Sequence, residues 1–572
     1  SSPDTDPGRT APIPNMQRNL TSLAPAEFDL LVIGGGITGA FVAHDASLRG
    51  LRVALVEKGD FGAFTSSASS KLLHGGVRYL PKGQLWKVRE SYRETAVFQH
   101  IAPHLTRWLP FLVPTESGSL MKGRAAMHAA MLLYGLCGTG IDRLITDRGK
   151  QPPPRTFLPP ARARERAPLL TAIPRLTGAQ VLWESHMHSS ERMTLAVLKS
   201  AARHGAEVAN HLQVDGLLGE AGRVVGARVT DRINGDRFAI RARLTVNAAG
   251  PYVQGINESV PQLRLKERLT GFSKGVHLVV RQLEPEYALA LTTGKKIEGI
   301  VSRGGRHFFI IPWRGCSLIG TTNVPFNGQL DEVRVTARDI DDFLADINGA
   351  LPEARLTRDD VRYAFCGIYP LIASEVRADT YQGTGEYQVI DHAQANGVDG
   401  IITALGAKYT TARRVAEQAV DLAATRLGRT GAVCRTTVER LAEGAIDDIE
   451  TFRQDCRRRY REDLEPAIID ELIRNHGLGV HELVEMGRER DLLHPVAPDR
   501  LTLAVEVEHA VQSEMALTLD DLLFRRTGLG TIGHPGEAVV ARCADLMGAL
   551  LGWDAAERAR QIEIVADRYA YR

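Results

Sequence analysis

The run Gly34-Gly35-Gly36-Ile37-Thr38-Gly39 fits G-x-G-x-x-G, and its setting constrains the fold more than any other feature of the chain. It follows Phe28-Asp29-Leu30-Leu31-Val32-Ile33, a short apolar run that reads as a buried strand. It precedes an Ala- and Val-rich stretch from Ile37 to Arg49 that reads as a helix stopped by Gly50. A second strand, Leu51-Arg52-Val53-Ala54-Leu55-Val56, ends on Glu57. Strand, glycine turn, helix and strand within about 30 residues make a βαβ unit, hence a parallel sheet with a right-handed crossover. In such a turn Gly34 permits the tight bend, Gly36 lets backbone approach a diphosphate, and Gly39 lets the helix pack closely on the sheet. The diphosphate would sit at the positive N-terminus of the helix. Glu57 lies 18 residues beyond Gly39, where a carboxylate can accept hydrogen bonds from both ribose hydroxyls of an adenosine. The spacing predicts dinucleotide binding.

The rest of the chain is long enough to surround that unit with a large core. With 572 residues it can bury about three quarters of its unfolded surface without a disulfide or metal staple. Lys+Arg at 70 against Asp+Glu at 68 leaves a net charge of +2, which argues against a nucleic-acid partner. The six cysteines (Cys137, Cys316, Cys366, Cys434, Cys456 and Cys543) lack ligand spacing, so no metal site is expected and a reducing compartment fits best. Residues 1–19 have no apolar signal region and read as a disordered tail. No run of 18 uninterrupted apolar residues predicts a membrane span.

Beyond Glu57, Gln151 to Pro168 reads as a basic, proline-rich surface loop, and Glu191 to His204 as a helix leading to a strand at Glu207-Val208-Ala209. Val224–Val229 and Phe238–Val246 alternate like antiparallel strands around a turn at Asn234-Gly235. Val276–Val280, Phe308–Pro312 and Ser317–Thr321 extend a strand-rich region. Helical periodicity then dominates after about Gly428, which places a boundary near residue 430.

A second motif narrows the cofactor. Thr65-Ser66-Ser67-Ala68-Ser69-Ser70-Lys71-Leu72-Leu73-His74-Gly75-Gly76-Val77-Arg78-Tyr79-Leu80 offers hydroxyl donors, two adjacent glycines and a fixed positive charge. This run resembles the TSSASSK-L-x-HGG-x-RYL pattern of the FAD-dependent (aerobic) glycerol-3-phosphate dehydrogenase and oxidase family. The similarity continues in family order. It takes in Asn247-Ala248-Ala249-Gly250-Pro251-Tyr252 (NAxGPW), Lys274-Gly275-Val276-His277 (KGSH), and Ile311-Pro312-Trp313 with Gly320-Thr321-Thr322-Asn323 (IPW…GTTD). It ends with Leu405 to Arg413 (FGGKLTTYR) and Thr518 to Thr527 (TLxDxLxRR), covering about residues 27–550.

The resemblance implies an α/β architecture. A Rossmann-like FAD-binding domain would be interleaved with an antiparallel-sheet substrate domain over 20–430, the substrate part falling roughly at 115–180 and 260–361. A C-terminal helical domain would follow over 431–572. It further implies hydride transfer from a secondary carbinol to flavin N5, with His277 accepting the carbinol proton. Arg78 would face the substrate anion, and Lys408 would bind that anion or stabilise charge on the reduced ring. The FAD contacts it implies, besides Gly34, Gly36, Gly39 and Glu57, are Ile33, Ile37, Thr38, Lys58, Thr65, Ser66, Ser67, Ser69, Lys71, Leu72, His74, Gly75, Gly76, Val214, Ala249, Gly250, Gly367, Gly406, Lys408, Tyr409 and Thr410. The residues alone leave blander readings open: a satisfied sheet histidine at His277, a salt-bridged loop arginine at Arg78.

Two departures bear on the substrate. Cys366-Gly367-Ile368-Tyr369-Pro370-Leu371 stands where the family reads SGVRPL, so Tyr369 replaces a substrate-facing arginine. A second family arginine, due near Gly385, is absent, and Arg377 or Arg413 would have to substitute. An altered substrate preference is therefore expected, and another polyol, hydroxy-acid or amine substrate, or a non-catalytic flavoprotein, is the alternative. Leu120 to Cys137 is basic and Met-rich, with Met121, Met127, Met131, Leu132 and Leu133 among Lys122, Arg124 and His128. It reads either as a core helix or as an interfacial one. The resemblance favours the second, with a cytoplasmic chain held peripherally on the inner face of the membrane and electrons passed to quinone, oxygen being the other acceptor. A homo-oligomer is left open.

Overall fold

The computed structural model describes residues 16–117, 123–173, 175–262, 271–292, 307–371, 387–406, 408–429 and 431–571. Side chains are described throughout these stretches except at Arg78, Pro81, Lys82, Thr292, His307 and Leu371.

The βαβ unit is present as read: strand Glu27–Ile33, helix Ile37–Leu48, strand Val53–Val56. Its two strands pair in parallel and sit inside a sheet ordered Gln388–Asp391, Ile401–Leu405, Arg237–Asn247, Glu27–Ile33, Val53–Val56, Glu207–Ala209. Arg223–Asp231 and Leu212–Glu220 add antiparallel strands beyond Arg237–Asn247, around the expected turn at Gly235. Every residue of Val53–Val56 and Ile401–Leu405 is buried, as strands covered on both faces must be. The glycine-turn helix is buried almost all round, between the sheet and the helices Ser190–Arg203 and Ala412–Arg426. Its lack of a polar face is therefore a packing requirement. Phe41 meets Phe98 edge-to-face at 5.6 Å in this core.

A second sheet, almost wholly antiparallel, runs Val324–Phe326, Gly271–Arg281, Cys316–Gly320, His307–Trp313, Ala288–Thr292, Thr106–Glu116, Leu176–Met187, Leu72–Leu73. Val361–Leu371 pairs on the other side of Gly271–Arg281. The chain passes repeatedly between the two sheets, so the folding units interleave. The strands Leu72–Leu73, Thr106–Glu116 and Val361–Leu371 take this second sheet beyond 115–180 and 260–361. Past residue 430 the described structure is helical, from Ile449–Arg459 to Ala555–Asp567, around a core that includes Tyr460, Ile469, Leu472 and Leu483.

Three expectations need correction. Residues 16–19, read as part of a disordered tail, are packed on the fold: Met16 is buried, its N–H donates to Ser513 O, and Arg18 pairs with Asp231 at 2.5 Å. The segment read as the loop Gln151–Pro168 carries a strand, Thr156–Leu158, and a helix, Pro160–Arg166, because Ala163 and Ala167 bury beside Leu170. The Met-rich segment forms the helix Arg124–Gly138, residues 118–122 lying outside the described ones. Met131 and Tyr134 turn inward and Met127 packs against the same core, so the methionines are not its outer face. The large apolar side chains left outside are Leu132, 73% exposed, and Leu136, 69% exposed. Among the described residues no helix is long and apolar enough to cross a membrane.

Candidate active site

The carboxyl ends of the parallel strands open into a cavity of about 660 Å³, within the range of small-molecule and cofactor sites. Ile33, Gly34, Gly36, Ile37 and Thr38 form one wall. Gly34 has φ +105°, and a Cβ there would fall 2.7 Å from Ala248 O. A Cβ on Gly39 would lie 1.9 Å from Gly34 O, so this residue works behind the wall, closing the helix onto the turn. Ile37 N–H, at the helix N-terminus, donates to Ser66 Oγ at 3.0 Å. Glu57 accepts from Gly35 N–H at 2.7 Å and Gly59 N–H at 2.8 Å, and each carboxylate oxygen keeps a lone pair for a further donor. Burial raises the Glu57 pKa, the two backbone donors opposing it. The glycine cradle, the helix N-terminus and the carboxylate fit the diphosphate and ribose of a dinucleotide.

Lys58, Thr65, Ser66, Ser69, Val214, Ala249, Gly250, Gly367, Gly406, Lys408 and Tyr409 also line the cavity. Several are held by neighbours. Lys58 pairs with Asp331 at 2.5 Å and lies over the Tyr252 ring at 3.9 Å, and Thr65 Oγ1 donates to Ile368 O at 2.7 Å. Tyr409 donates to Ser190 O at 2.8 Å, and Lys408 lies over the Tyr79 ring at 4.6 Å.

His277 and Tyr369 face the cavity from adjacent strands. The imidazole stacks on Phe365 at 5.0 Å, and its Nε2 is 2.9 Å from Ser70 Oγ. A Cβ at Gly320 on the neighbouring strand would fall 2.0 Å from His277 Cδ2, so glycine there makes room for the ring. Burial, reinforced by the Lys71 ammonium, lowers the His277 pKa to about 3 and keeps the ring neutral. Tyr369 donates its hydroxyl to Asn323 Oδ1.

Other expected contacts lie elsewhere. The side chain of Lys71 is turned away: its Nζ reaches Glu191 Oε1 at 2.6 Å, Ser67 O at 2.6 Å and Ser190 Oγ at 2.9 Å. A buried ammonium requires such partners, so they decide where it points, and burial pulls its pKa down against Glu191. Ser67 turns its hydroxyl to Phe64 O, and Leu72 pairs with His186 in the second sheet. The turn of His74, Gly75 and Gly76 is held from behind, with Glu184 accepting from Gly75 N–H at 2.7 Å and Thr410 Oγ1 from His74 N–H at 3.0 Å. Arg413 does not reach the substrate side. It is fully buried, with Glu94 at 2.6 Å and Glu417 at 3.0 Å, an ion pair that locks its helix to Leu85–Ile101. The Arg78 side chain and Arg377 lie outside the described residues.

Sequence reasoning assigned no role to Ser70, although it stands inside the hydroxyl-rich motif. It also passed over Asp331, and it named Tyr252 and Thr321 only as letters of family motifs; all three line the cavity from segments distant in sequence. Only the glycine at 320, opposite a strand histidine, hinted at a bulky ring crossing between strands.

The profile of the FAD dependent oxidoreductase family matches residues 29–413, and that of the C-terminal domain of alpha-glycerophosphate oxidase matches 434–558. A glycerol-3-phosphate dehydrogenase of Synechocystis sp. is 32% identical, over 96% of this chain and 97% of its own. That of Mycobacterium leprae is 34% identical, over 94% and 87%. The crystal structure of the glycerol-3-phosphate dehydrogenase from Bacillus halodurans, complexed with FAD, superposes with a TM-score of 0.73 at 27% identity, covering 96% of each chain. With the cavity's glycine cradle and these matches along nearly its whole length, the chain belongs to the FAD-dependent glycerol-3-phosphate dehydrogenase family.

Proposed function

We propose that the chain holds FAD in this cavity and oxidises glycerol-3-phosphate, or a closely related secondary alcohol, at the carbinol carbon. The observation that carries the reading is that the helix N-terminus at Ile37, Glu57 and the Ser70–His277 pair converge on one cavity. The turn from Gly34 to Ile37 would hold the diphosphate, Glu57 the ribose, and Gly406 and Tyr409 the opposite wall. When bound, FAD supplies the flavin ring that accepts hydride. His277, neutral and fixed by Phe365 and Ser70, takes the carbinol proton at Nε2, its other ring nitrogen being buried with no hydrogen-bond partner among the described residues. Anaerobic addition of glycerol-3-phosphate should bleach the yellow FAD-loaded protein. Colour that persists with this and related alcohols would overturn the reading.

The phosphate end is the part in which this chain departs from its family pattern. Tyr369 and Asn323 form a neutral hydrogen-bonded pair where the pattern has Arg and Asp, so charge balance survives but the guanidinium is gone. Among the described residues that line the cavity, the cations are Lys58 and Lys408, and Lys58 is paired with Asp331. Tyr369→Arg is expected to lower KM for glycerol-3-phosphate by about tenfold or more, the worth of one charge-assisted hydrogen bond, with little change in kcat. Micromolar KM in the wild type, unimproved by the substitution, would show that the dianion is already satisfied.

For the electron acceptor the reading is quinone, reached from a membrane surface. Its support is the helix Arg124–Gly138, with Leu132 and Leu136 outward and Arg124 and His128 also exposed. Arg89 donates to Cys137 O at 2.9 Å, bringing the first turn of Leu85–Ile101, with Trp86 60% exposed, alongside the end of that helix. The double variant Leu132→Glu, Leu136→Glu should lose at least nine tenths of its sedimentation with anionic liposomes and keep its flavin. Unchanged sedimentation would remove this helix as the anchor.

A further inference from the structure

The C-terminal motif Thr518 to Thr527 contributes nothing to the cavity wall, yet it ends on the most heavily bonded carboxylate near the cofactor turn. Asp60 lies three residues after Glu57, and its side chain is completely buried. Arg526 grips it with both terminal nitrogens, at 2.7 and 2.8 Å, and Arg525 Nε reaches it at 2.5 Å. Asn210 Nδ2 adds a fourth bond at 2.9 Å and also donates to Met515 O. Successive residues of an ordinary α-helix point 100° apart and do not converge on one group. Here the segment Asp521–Arg526 is a π-helical turn, and the long side chains of Arg525 and Arg526 both reach one carboxylate from it.

On the other side, the Asp60 segment is bonded directly to the glycine turn. Gly62 N–H donates to Gly35 O at 3.0 Å, and Gly59 N–H and Gly35 N–H share the Glu57 carboxylate. Phe61 fills the space where Gly35 would carry a Cβ, 2.8 Å from that point. Gly59 O accepts from His211 N–H at 2.7 Å, and His211 Nε2 contacts Asp521 Oδ2 at 2.9 Å. The ligand atoms of Asp60, His211 and Asp521 are close enough together to suggest a cation site, but Arg525 and Arg526 already occupy that space with positive charge. The cluster is an ion-pair network spanning two parts of the chain. Burial alone would push the Asp60 carboxyl up; the Arg526 and Arg525 guanidiniums hold it well below the usual carboxylate range.

The geometry points to Asp60, Arg525 and Arg526 as positioning residues through which the C-terminal helical region sets the affinity of the cavity for FAD. The inference rests on the reading that the cavity holds FAD. Its physical basis is that Glu57 and the backbone from Gly59 to Gly62 are held from three sides: by the glycine turn, by the backbone of Ala209, His211 and Leu212, and, through the Asp60 side chain, by the arginine pair. Release of the arginine pair removes the charged anchor of the Asp60 side chain, so the segment shifts against the glycine turn and the ribose-binding carboxylate shifts with it.

The test compares FAD binding with overall stability in apoprotein prepared from the full chain. FAD is titrated by flavin fluorescence, and melting of the apoprotein is followed by circular dichroism. Arg526→Lys keeps the charge but loses the two-pronged grip, and Asp60→Asn keeps the shape but loses the charge; each should raise the FAD Kd at least tenfold. Arg568→Gln serves as the comparison, since Arg568 pairs with Asp520 beside the same turn but does not touch Asp60. It should lower the melting temperature and leave the Kd within twofold of wild type. Should Asp60→Asn fail to fold, Arg526→Lys decides alone. A Kd within twofold of wild type in Arg526→Lys, with a lowered melting temperature, would show a purely structural clamp and overturn the proposal. Wild-type apoprotein that took up no FAD would instead overturn the cofactor reading, and this inference with it.

Discussion

Gly39→Ala is expected to give a colourless protein. The added Cβ would sit 1.9 Å from Gly34 O, and the obstacle is backbone, so no side chain can swing aside. The helix Ile37–Leu48 would have to move off the turn, although nearly all its residues are packed in core. Overpacking of this kind costs about 3 kcal/mol or more where nothing can relax, and two decades of FAD affinity correspond to about that energy. Flavin content measured from the visible spectrum of the denatured protein, against total protein, checks it. A wild-type FAD content would show that the helix can shift without disturbing the diphosphate cradle.

The second large effect is expected at His277. His277→Asn keeps a polar side chain of similar reach but removes the proton acceptor, and should lower kcat by about 10²–10⁴ while FAD content stays unchanged. A kcat within tenfold of wild type would take His277 out of the reaction. The same ring makes a separate equilibrium prediction. Burial first, and the Lys71 charge second, lower its pKa to about 3, so lowering the pH through 6.5 leaves it neutral in the folded protein. The unfolded chain takes up a proton there, so this residue favours the folded state above about pH 6.5. That contribution is lost as pH falls toward 3, by up to about 1.4 kcal/mol per pH unit. A histidine NMR titration of wild type, compared with His277→Asn, should show no resonance of this residue titrating near pH 6.5.

The sites most legible from the sequence are those that depend on local backbone geometry. The glycines at 34, 36 and 39 announce their roles because the βαβ turn needs a positive φ at the first, bare backbone facing a diphosphate at the second, and no Cβ between helix and turn at the third. Glu57 is legible for the same reason, since the end of the second parallel strand must lie beside the first. Resemblance to family motifs carried the reading further, to His277 and to the replacement at Tyr369. It did not reach the hydrogen bond from Tyr369 to Asn323, which joins residues 46 apart in sequence.

Side-chain direction was the part that local pattern could not supply. Lys71 sits among hydroxyl-bearing residues that line the cavity, yet points away because Glu191 waits in the adjoining core. Arg413 opens a helix beside the cavity and still turns inward, since Glu94 and Glu417 offer it two carboxylates. The Met-rich helix has its apolar residues spread around the axis, so periodicity did not separate the buried Met131 from the exposed Leu132. In each case partners from distant segments decided the outcome.

By itself, then, the sequence determined the parallel βαβ start, the dinucleotide cradle, the strand-rich middle and the helical end, because these follow from steric demands and hydrophobic periods within short windows. Only the tertiary structure decided which hydroxyl meets His277, which cations stay near the cavity, and that the arginine pair at 525 and 526 clamps Asp60. Those choices depend on which buried charges find each other across hundreds of residues, and an unpaired buried charge is costly enough to override any local preference.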